Sequence, residues 1–219
     1  MLPIPEPLID TSVDPNVRGF IHLPATPAKD GLVLTHGAGS NSRAPLLMAL
    51  AEAFAAAGVT VLRCDLPYRQ SRPHGPPRPG DAARDRDGLQ NAVGVLRKIV
   101  PGRMFLGGHS YGGRQSSMLC ADQPGLVDGL LLFSYPLHPP GKPEQLRIQH
   151  LPNLHTPAFF VHGTHDPFGT AEEVESALKL IPAKIRLLRV EGAGHDLGFK
   201  GKQNELPALV MKEFCALLG

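Results

Sequence analysis

The sequence predicts an α/β protein with a mostly parallel central sheet and helices on both of its faces. Short apolar runs alternate with helical patterns along nearly all of the 219 residues, as in folds where crossover helices join parallel strands. Glycine-bearing turns follow several of the predicted strands, and in such sheets chemistry gathers at the strand ends. The chain contains no internal repeat and no composition shift, so residues 1–219 are predicted to form a single domain.

The first part of the chain is predicted to contain three strands and one helix. The strands are VRGFIHLP (17–24), paired with a partner near PLIDTS, then GLVLTHGAG (31–39) and VTVLRCD (59–65). The helix lies in SRAPLLMALAEAFAAAG, where Leu46, Leu50 and Phe54 recur on one face. Ser42 is expected to cap this helix and Gly58 to end it.

The next segment, PYRQSRPHGPPRPG (67–80), is predicted to be a loop, because its prolines donate nothing to a ladder and its glycines free the backbone. The helix that follows the loop ends before Pro101. Its apolar face comprises Leu89, Val93, Leu96 and Val100.

The second half of the chain repeats the alternation. Its predicted strands are RMFLGG (103–108), LVDGLLLFSYPL (126–137), TPAFFVHGTHD (156–166) and KIRLLRVEG (184–192). Its predicted helices are YGGRQSSMLCADQ (111–123), AEEVESALKLI (171–181) and a last one carrying Leu206, Val210, Phe214 and Leu217. This order of elements requires right-handed crossovers between parallel strands.

Composition excludes several function classes. The formal net charge is only +2 and tryptophan is absent, which disfavours a nucleic-acid partner. No apolar run reaches about 18 residues, and the N-terminal MLPIPEPLID lacks the basic and apolar blocks of a signal peptide. The cysteines, Cys64, Cys120 and Cys215, are odd in number and have no paired spacing, which is typical of reduced thiols. We therefore expect a cytoplasmic protein with no membrane partner; the oligomeric state stays open.

The strongest motif is Gly108-His109-Ser110-Tyr111-Gly112, which matches G-x-S-x-G and lies between a predicted strand and a predicted helix. In that context the serine occupies a sharp, strained turn that projects its hydroxyl outward. The glycines around Ser110 are interpreted as clearance that lets a substrate reach the hydroxyl. The motif therefore predicts that Ser110 is a nucleophile.

A serine nucleophile needs a base, and the base needs an orienting carboxylate. His195 and Asp166 each follow a later predicted strand, and the order Ser110, Asp166, His195 is that of α/β-hydrolases. Asp65, Asp128 and Asp196 are rival carboxylates, of which Asp65 also ends a strand.

The tetrahedral intermediate needs hydrogen-bond donors for its negative oxygen. The backbone N–H of Tyr111 is one donor by its position after the nucleophile. A second is expected from Ala38 in THGAGSNSR (35–43), where small residues let the backbone approach a substrate. These two amides are the predicted oxyanion hole.

Other polar residues have less specific interpretations. His162 and His165 lie in a strand-to-loop turn without an HExxH motif, so no metal and no other cofactor is predicted. His36 and His109 are interpreted as structural residues that support turns.

The loop after Asp65 is rich in arginine. One interpretation is a solvated surface that nearby aspartates partly neutralise. The other is that Arg69 or Arg72 binds a substrate carboxylate or phosphate bidentately. The sequence leaves both interpretations open.

Four motifs occur in order and carry a resemblance: LTHGAG (34–39), GGHSYGGR (107–114), HGTHDPFG (162–169) and GAGHDL (193–198). Through them the chain resembles the α/β-hydrolase superfamily over essentially its whole length. Within it, the chain is similar to the small lidless, dienelactone-hydrolase-like group. Through FSYPLHPPGKPEQLR (133–147) it is similar to testis-expressed and NSL histone-acetyltransferase-complex-subunit hydrolase-like domains.

The resemblance implies a serine-hydrolase fold and, for many members, esterase or related acyl-hydrolase activity. Some members of the closer group serve as complex subunits. No long insertion separates Leu132 from Asp166, where lipases and many esterases carry a cap domain, so an open site without a cap is expected.

Three functions compete. The first is a serine hydrolase that cleaves a small ester or thioester through an acyl-enzyme. The second is a hydrolase-like interaction module without turnover. The third is a peptidase-type serine hydrolase that uses the arginine-bearing loop to bind a substrate carboxylate.

Overall fold

The computed structural model describes residues 4–26, 29–199 and 205–218. Eight strands form one sheet. They are β1 (Glu6–Asp10), β2 (Val17–His22), β3 (Gly31–Thr35), β4 (Thr60–Cys64), β5 (Met104–His109), β6 (Gly129–Phe133), β7 (Ala158–Gly163) and β8 (Ile185–Val190).

The sheet is parallel except at one side. Its strand order is β1-β2-β4-β3-β5-β6-β7-β8. β1 pairs antiparallel with β2, and β2 pairs antiparallel with β4, whereas all pairs from β4 to β8 are parallel. The predicted partner of the early strand near PLIDTS is therefore confirmed as β1.

Helices cover both faces of this sheet, as predicted. The described helices are α1 (Pro45–Ala56), α2 (Pro67–Ser71), α3 (Asp81–Arg97), α4 (Tyr111–Asp122), α5 (Ala171–Leu178) and α6 (Leu206–Leu218). The core on one face is built with α1 and α6, and the core on the other with α3, α4 and α5. Because a parallel sheet must bury both faces, the two cores account for the continuous apolar runs of its central strands.

The predicted apolar faces are the packed faces. Leu50 and Phe54 of α1 and Phe214 of α6 are at most 1% exposed. The Phe214 ring meets the edges of Phe54, at 5.8 Å between centroids, and of Phe105 on β5, at 5.1 Å. Burying each such side chain stabilises the fold by roughly 1.5–3 kcal/mol.

The segment between β6 and β7, residues 134–157, is described throughout and holds only a 3₁₀ turn at Leu151–Asn153. It contains no cap domain, in agreement with the sequence. Among the described residues, no helix has both the length and the apolar character needed to cross a bilayer.

The predicted cap of α1 is wrong. The helix begins at Pro45 with Ala44 as the N-cap residue and has no side-chain cap. Ser42 lies farther out, where its N–H donates to Asp65 Oδ1 at 2.6 Å. Proline needs no N–H partner in a first turn, so the helix can begin without a capping hydroxyl. Gly58 follows the helix with φ 91°, as expected for its end.

The predicted loop 67–80 is wrong in its first five residues, which form α2. The prolines exclude a ladder, but Pro67 at the first helical position favours a helical turn. The predicted strand 126–137 is also too long. It stops at Phe133 because Ser134 adopts a left-handed backbone with φ 48°.

Candidate active site

Ser110 lies on a strained turn between β5 and α4. Its backbone has φ 51° and ψ −116°, a conformation that costs of order 1–3 kcal/mol for a residue other than glycine. The Ser110 N–H donates to the Phe133 carbonyl at 2.8 Å, which ties the turn to β6. This geometry agrees with the strand-turn-helix context that the G-x-S-x-G motif requires.

The glycines of this motif accommodate neighbouring backbone, as a sharp strand-to-helix turn requires. That they also let a substrate reach the hydroxyl stays a prediction. A Cβ on Gly112 would lie 2.5 Å from the His36 carbonyl oxygen. A Cβ on Gly108 would lie 2.8 Å from the Thr35 carbonyl oxygen. The glycines therefore let β3, β5 and α4 approach closely enough to hold Ser110 beside the loop that follows β3.

The three side chains predicted to act together are in hydrogen-bond contact. His195 Nε2 is 2.8 Å from Ser110 Oγ, and His195 Nδ1 is 2.8 Å from Asp166 Oδ2. Because a carboxylate accepts, Nδ1 carries the proton and Nε2 is free to accept from the serine hydroxyl. Asp166 is 2% exposed, and its other oxygen accepts from the Phe168 N–H at 2.8 Å.

His195 is held between two rings. The Phe168 ring lies against the imidazole with centroids 4.3 Å apart, and the His109 ring lies 5.1 Å away. His109 Nε2 donates to the His195 carbonyl at 2.9 Å. Burial lowers the pKa of His109 to about 4, so this ring is a neutral donor at physiological pH. Sequence reasoning missed Phe168, although it closely follows the strand end that carries Asp166.

The rival carboxylates bind elsewhere. Asp65 accepts from the Ser42 N–H, Asp128 from the Met104 N–H at 2.7 Å, and Asp196 from the Gly198 N–H at 3.0 Å.

The loop after β3 passes beside Ser110. A Cβ on Gly37 would lie 3.4 Å from the Ser110 Cβ. The Gly37 carbonyl accepts from His36 Nδ1 at 2.9 Å, and the Ala38 carbonyl accepts from the Tyr68 hydroxyl at 2.8 Å. His36 Nε2 accepts from the Leu66 N–H at 3.1 Å, so this ring supports a turn, as interpreted from the sequence.

Arg69 is a structural centre of this region. It is only 7% exposed, so a solvated surface is wrong at this position. Its guanidinium donates to the carbonyls of Ser40 at 2.8 Å, Ala38 at 3.1 Å, Gly75 at 2.8 Å and Arg72 at 3.1 Å.

Arg72 is less buried than Arg69 and pairs with Asp81. Both candidate substrate-binding arginines thus have partners within the chain.

The two histidines considered as metal ligands differ in surroundings. His162 is buried, and its Nε2 donates to the Gly169 carbonyl at 2.8 Å. His165 is exposed. Within the described parts of the chain, no group of three or more His, Cys, Asp or Glu side chains converges as metal ligands would.

A cavity of about 220 Å³ adjoins the site. Its walls include Gly37, Ser40, Pro45, Leu47, His109 and Phe199. Apolar surface dominates this lining. A cavity of this size and lining can hold a small apolar group.

Solved structures with this architecture are numerous. A dienelactone hydrolase from Anabaena variabilis is 20% identical with a TM-score of 0.77, over 98% of each chain. A protein from Xanthomonas campestris, described as an α/β serine hydrolase without a lid, is 16% identical with a TM-score of 0.76, over 97% of this chain and 94% of that one. Est1E from Butyrivibrio proteoclasticus, with ferulic acid bound, is 16% identical with a TM-score of 0.73, over 92% and 96%.

The sequence profile of a family described as an alpha/beta hydrolase domain matches residues 28–217. That match spans every strand from β3 onward and all of the helices as far as residue 217. Together with the lidless sheet and its dienelactone-hydrolase-like neighbours, it establishes that the chain belongs to the α/β hydrolase domain family.

Proposed function

We propose that the protein is a serine hydrolase that cleaves a small ester or thioester through an acyl-enzyme. The observation that carries the proposal is the pair of 2.8 Å contacts joining Ser110 Oγ, His195 and Asp166. A serine hydroxyl becomes nucleophilic when an oriented imidazole can accept its proton.

In the proposed reaction, Ser110 Oγ attacks the acyl carbon while His195 Nε2 takes the hydroxyl proton. Asp166 stabilises the resulting imidazolium through Nδ1. The backbone N–H groups of Ala38 and Tyr111 donate to the oxyanion, each contributing about 3 kcal/mol to the transition state. Breakdown of the tetrahedral intermediate expels the leaving group, which receives the proton from His195 Nε2. Water then attacks the acyl-serine, and His195 takes the proton of the water as it took that of the serine.

The cavity beside Gly37 is the proposed site of the acyl group. A volume of about 220 Å³ accommodates a short aliphatic chain or a single aromatic ring. Residues 134–157 add no cap, so the leaving group can extend into solvent. An aryl acid of comparable size, ferulic acid, is bound in the neighbour Est1E, which supports short aliphatic and aryl esters as first substrates.

Ser110→Ala tests this proposal. We expect it to lower the turnover of p-nitrophenyl acetate by about 10⁴-fold or more, because the nucleophile is removed and only binding effects remain. Wild-type protein should be labelled at Ser110 by a fluorophosphonate, and the variant should not be labelled.

Ser134→Ala is the matched control. Ser134 also follows a strand with a left-handed backbone, φ 48°, and is fully buried, whereas the hydrogen bond of His195 Nε2 in the described structure is to Ser110. Ser134→Ala should retain turnover and labelling. Full turnover by Ser110→Ala would refute the mechanism. A folded wild-type protein that is neither labelled nor active would instead favour an interaction module.

A further inference from the structure

Asp85, on α3, is a carboxylate with no exposed surface and lies outside the proposed relay. Its Oδ1 accepts from the Tyr68 N–H at 3.0 Å, and its Oδ2 accepts from the Tyr111 hydroxyl at 2.7 Å. We propose that Asp85 is a positioning residue that aligns both N–H donors of the oxyanion hole. This inference rests on the hydrolase function proposed above.

The first branch runs through Tyr111. This residue begins α4, and its backbone N–H is the donor next to Ser110. Asp85 fixes the far end of the same side chain, and the Tyr68 ring packs edge-on against the Tyr111 ring with centroids 5.9 Å apart. A residue fixed at both its ring and its helical backbone has little freedom to rotate its N–H.

The second branch runs through Tyr68 to the loop after β3. Asp85 holds the Tyr68 backbone, and the Tyr68 hydroxyl lies 2.8 Å from the Ala38 carbonyl and 3.3 Å from the Gly37 carbonyl. A trans peptide points its carbonyl and its N–H in opposite directions. Drawing the Gly37 carbonyl toward Tyr68 and His36 therefore turns the Ala38 N–H away from them.

The charge of Asp85 has a physical cost that the network offsets. Burial raises the pKa of Asp85, and a buried carboxylate is stable only when its oxygens are hydrogen-bonded. Asp85 accepts hydrogen bonds from Tyr68 and Tyr111. Tyr68 contacts Ala38, and Tyr111 carries the second oxyanion-hole amide itself. One side chain thereby couples the loop at Ala38 to the start of α4 at Tyr111, 73 positions away in sequence.

The experiment compares Asp85→Asn with Asp85→Leu. Asparagine keeps an acceptor for the Tyr68 N–H and offers its amide to the Tyr111 oxygen, which can accept instead of donate. Leucine has a similar volume and offers neither. We expect kcat for p-nitrophenyl acetate to fall about 10- to 100-fold in Asp85→Leu with KM within about twofold of wild type, because donor alignment acts on the transition state. Asp85→Asn should stay within about fivefold of wild type.

A second variant keeps the test decisive if Asp85→Leu does not fold. Tyr68→Phe removes only the hydroxyl that reaches Ala38, and it should lower kcat about 5- to 50-fold at unchanged KM. Its matched control is Tyr135→Phe, which deletes an equally buried hydroxyl bonded to the Arg147 carbonyl at 2.7 Å, away from this loop.

Backbone amide NMR signals give a readout that does not depend on turnover. The Ala38 and Tyr111 signals should shift or broaden in Asp85→Leu and Tyr68→Phe, and should stay in place in Tyr135→Phe. Unmoved signals, or kcat losses no larger than in Tyr135→Phe, would overturn the inference. If the wild-type protein lacks Ser110-dependent turnover, the hydrolase proposal fails, and the amide signals alone decide whether Asp85 holds the two loops.

Discussion

At the scale of single residues, two helical glycines have opposite surroundings. A Cβ on Gly112 in α4 would meet the His36 carbonyl oxygen at 2.5 Å and Thr35 Cγ2 at 2.6 Å. A Cβ on Gly94 in α3 would meet nothing within 4 Å. Gly112 therefore permits a close approach of two elements. Gly94 permits none and only increases the backbone entropy that the chain loses on folding.

Gly112→Ala should lower the free energy of unfolding by about 2–4 kcal/mol, because α4 must move away from the end of β3. Gly94→Ala should raise it by about 0.5–1 kcal/mol through helix propensity alone. Urea denaturation of both variants measures the two changes. Equal effects in the two helices would contradict the close-approach explanation.

The proposed relay could be predicted from the sequence because each member follows a strand. Ser110 comes directly after an apolar run, Asp166 and His195 lie in the turns that follow two others, and parallel strands end at the same edge of a sheet. Asp85 and Phe168 could not be predicted in this way. The contacts of Asp85 depend on how α2 packs on α3, and those of Phe168 depend on the direction of the turn after Asp166. Neither feature can be recognised from the spacing of residues in the sequence.

At the scale of elements, α2 links the helical layer to the loop after β3. The Arg69 guanidinium joins two segments of backbone through four carbonyls, those of Ala38 and Ser40 after β3 and those of Arg72 and Gly75 after α2. A planar fork of donors can serve acceptors in several directions, which an ammonium group cannot do. The sequence could not predict this element, because proline excludes a ladder without excluding a helical turn.

Arg69→Lys should lower the free energy of unfolding by about 2–3 kcal/mol, because several buried carbonyls lose their donors. It should also lower ester turnover equally for neutral and anionic substrates. Arg72→Lys, at a half-exposed pair with Asp81, should cost less than about 1 kcal/mol. A KM increase confined to anionic esters in Arg69→Lys would instead identify Arg69 as a substrate-binding residue.

At the scale of the whole molecule, several histidines are buried or half-buried, which favours their neutral form. Burial lowers the pKa of His22, His109 and His150 to about 4, and lowers the pKa of His36 and His162. In the unfolded chain these groups titrate near 6.5. Between these values the unfolded state binds more protons than the folded state, so acid favours unfolding.

These histidines should therefore contribute fully to the free energy of unfolding above about pH 6.5. As the pH drops toward about 4, the free energy of unfolding should fall by roughly 1–3 kcal/mol per histidine. Urea denaturation at pH 7.5, 6 and 5 measures this slope. His150→Gln should reduce the slope, because it removes one of the histidines whose pKa burial lowers. Stability that is constant across this range would contradict the assignment of neutral buried rings.

The overall architecture was more predictable than its strand order. Alternating apolar runs and helical faces led to a mostly parallel sheet covered on both sides, and the structure confirms it. The position of β4 between β2 and β3 could not be predicted from the hydrophobic pattern, because the central strands are all apolar and do not differ in periodicity. Strand neighbours are decided by crossovers and by the packing of whole layers.

His195 follows β8, the outermost strand on its side of the sheet, which among the described strands pairs with β7 alone and has no fully buried residue. Ser110 and Asp166 instead follow interior strands that are almost wholly buried. Outer strands fray at a lower free-energy cost than central ones. Warming should therefore separate the His195 imidazole from Ser110 while the central sheet is still intact. The temperature at which the site is lost is then set by the pairing of β8 with β7.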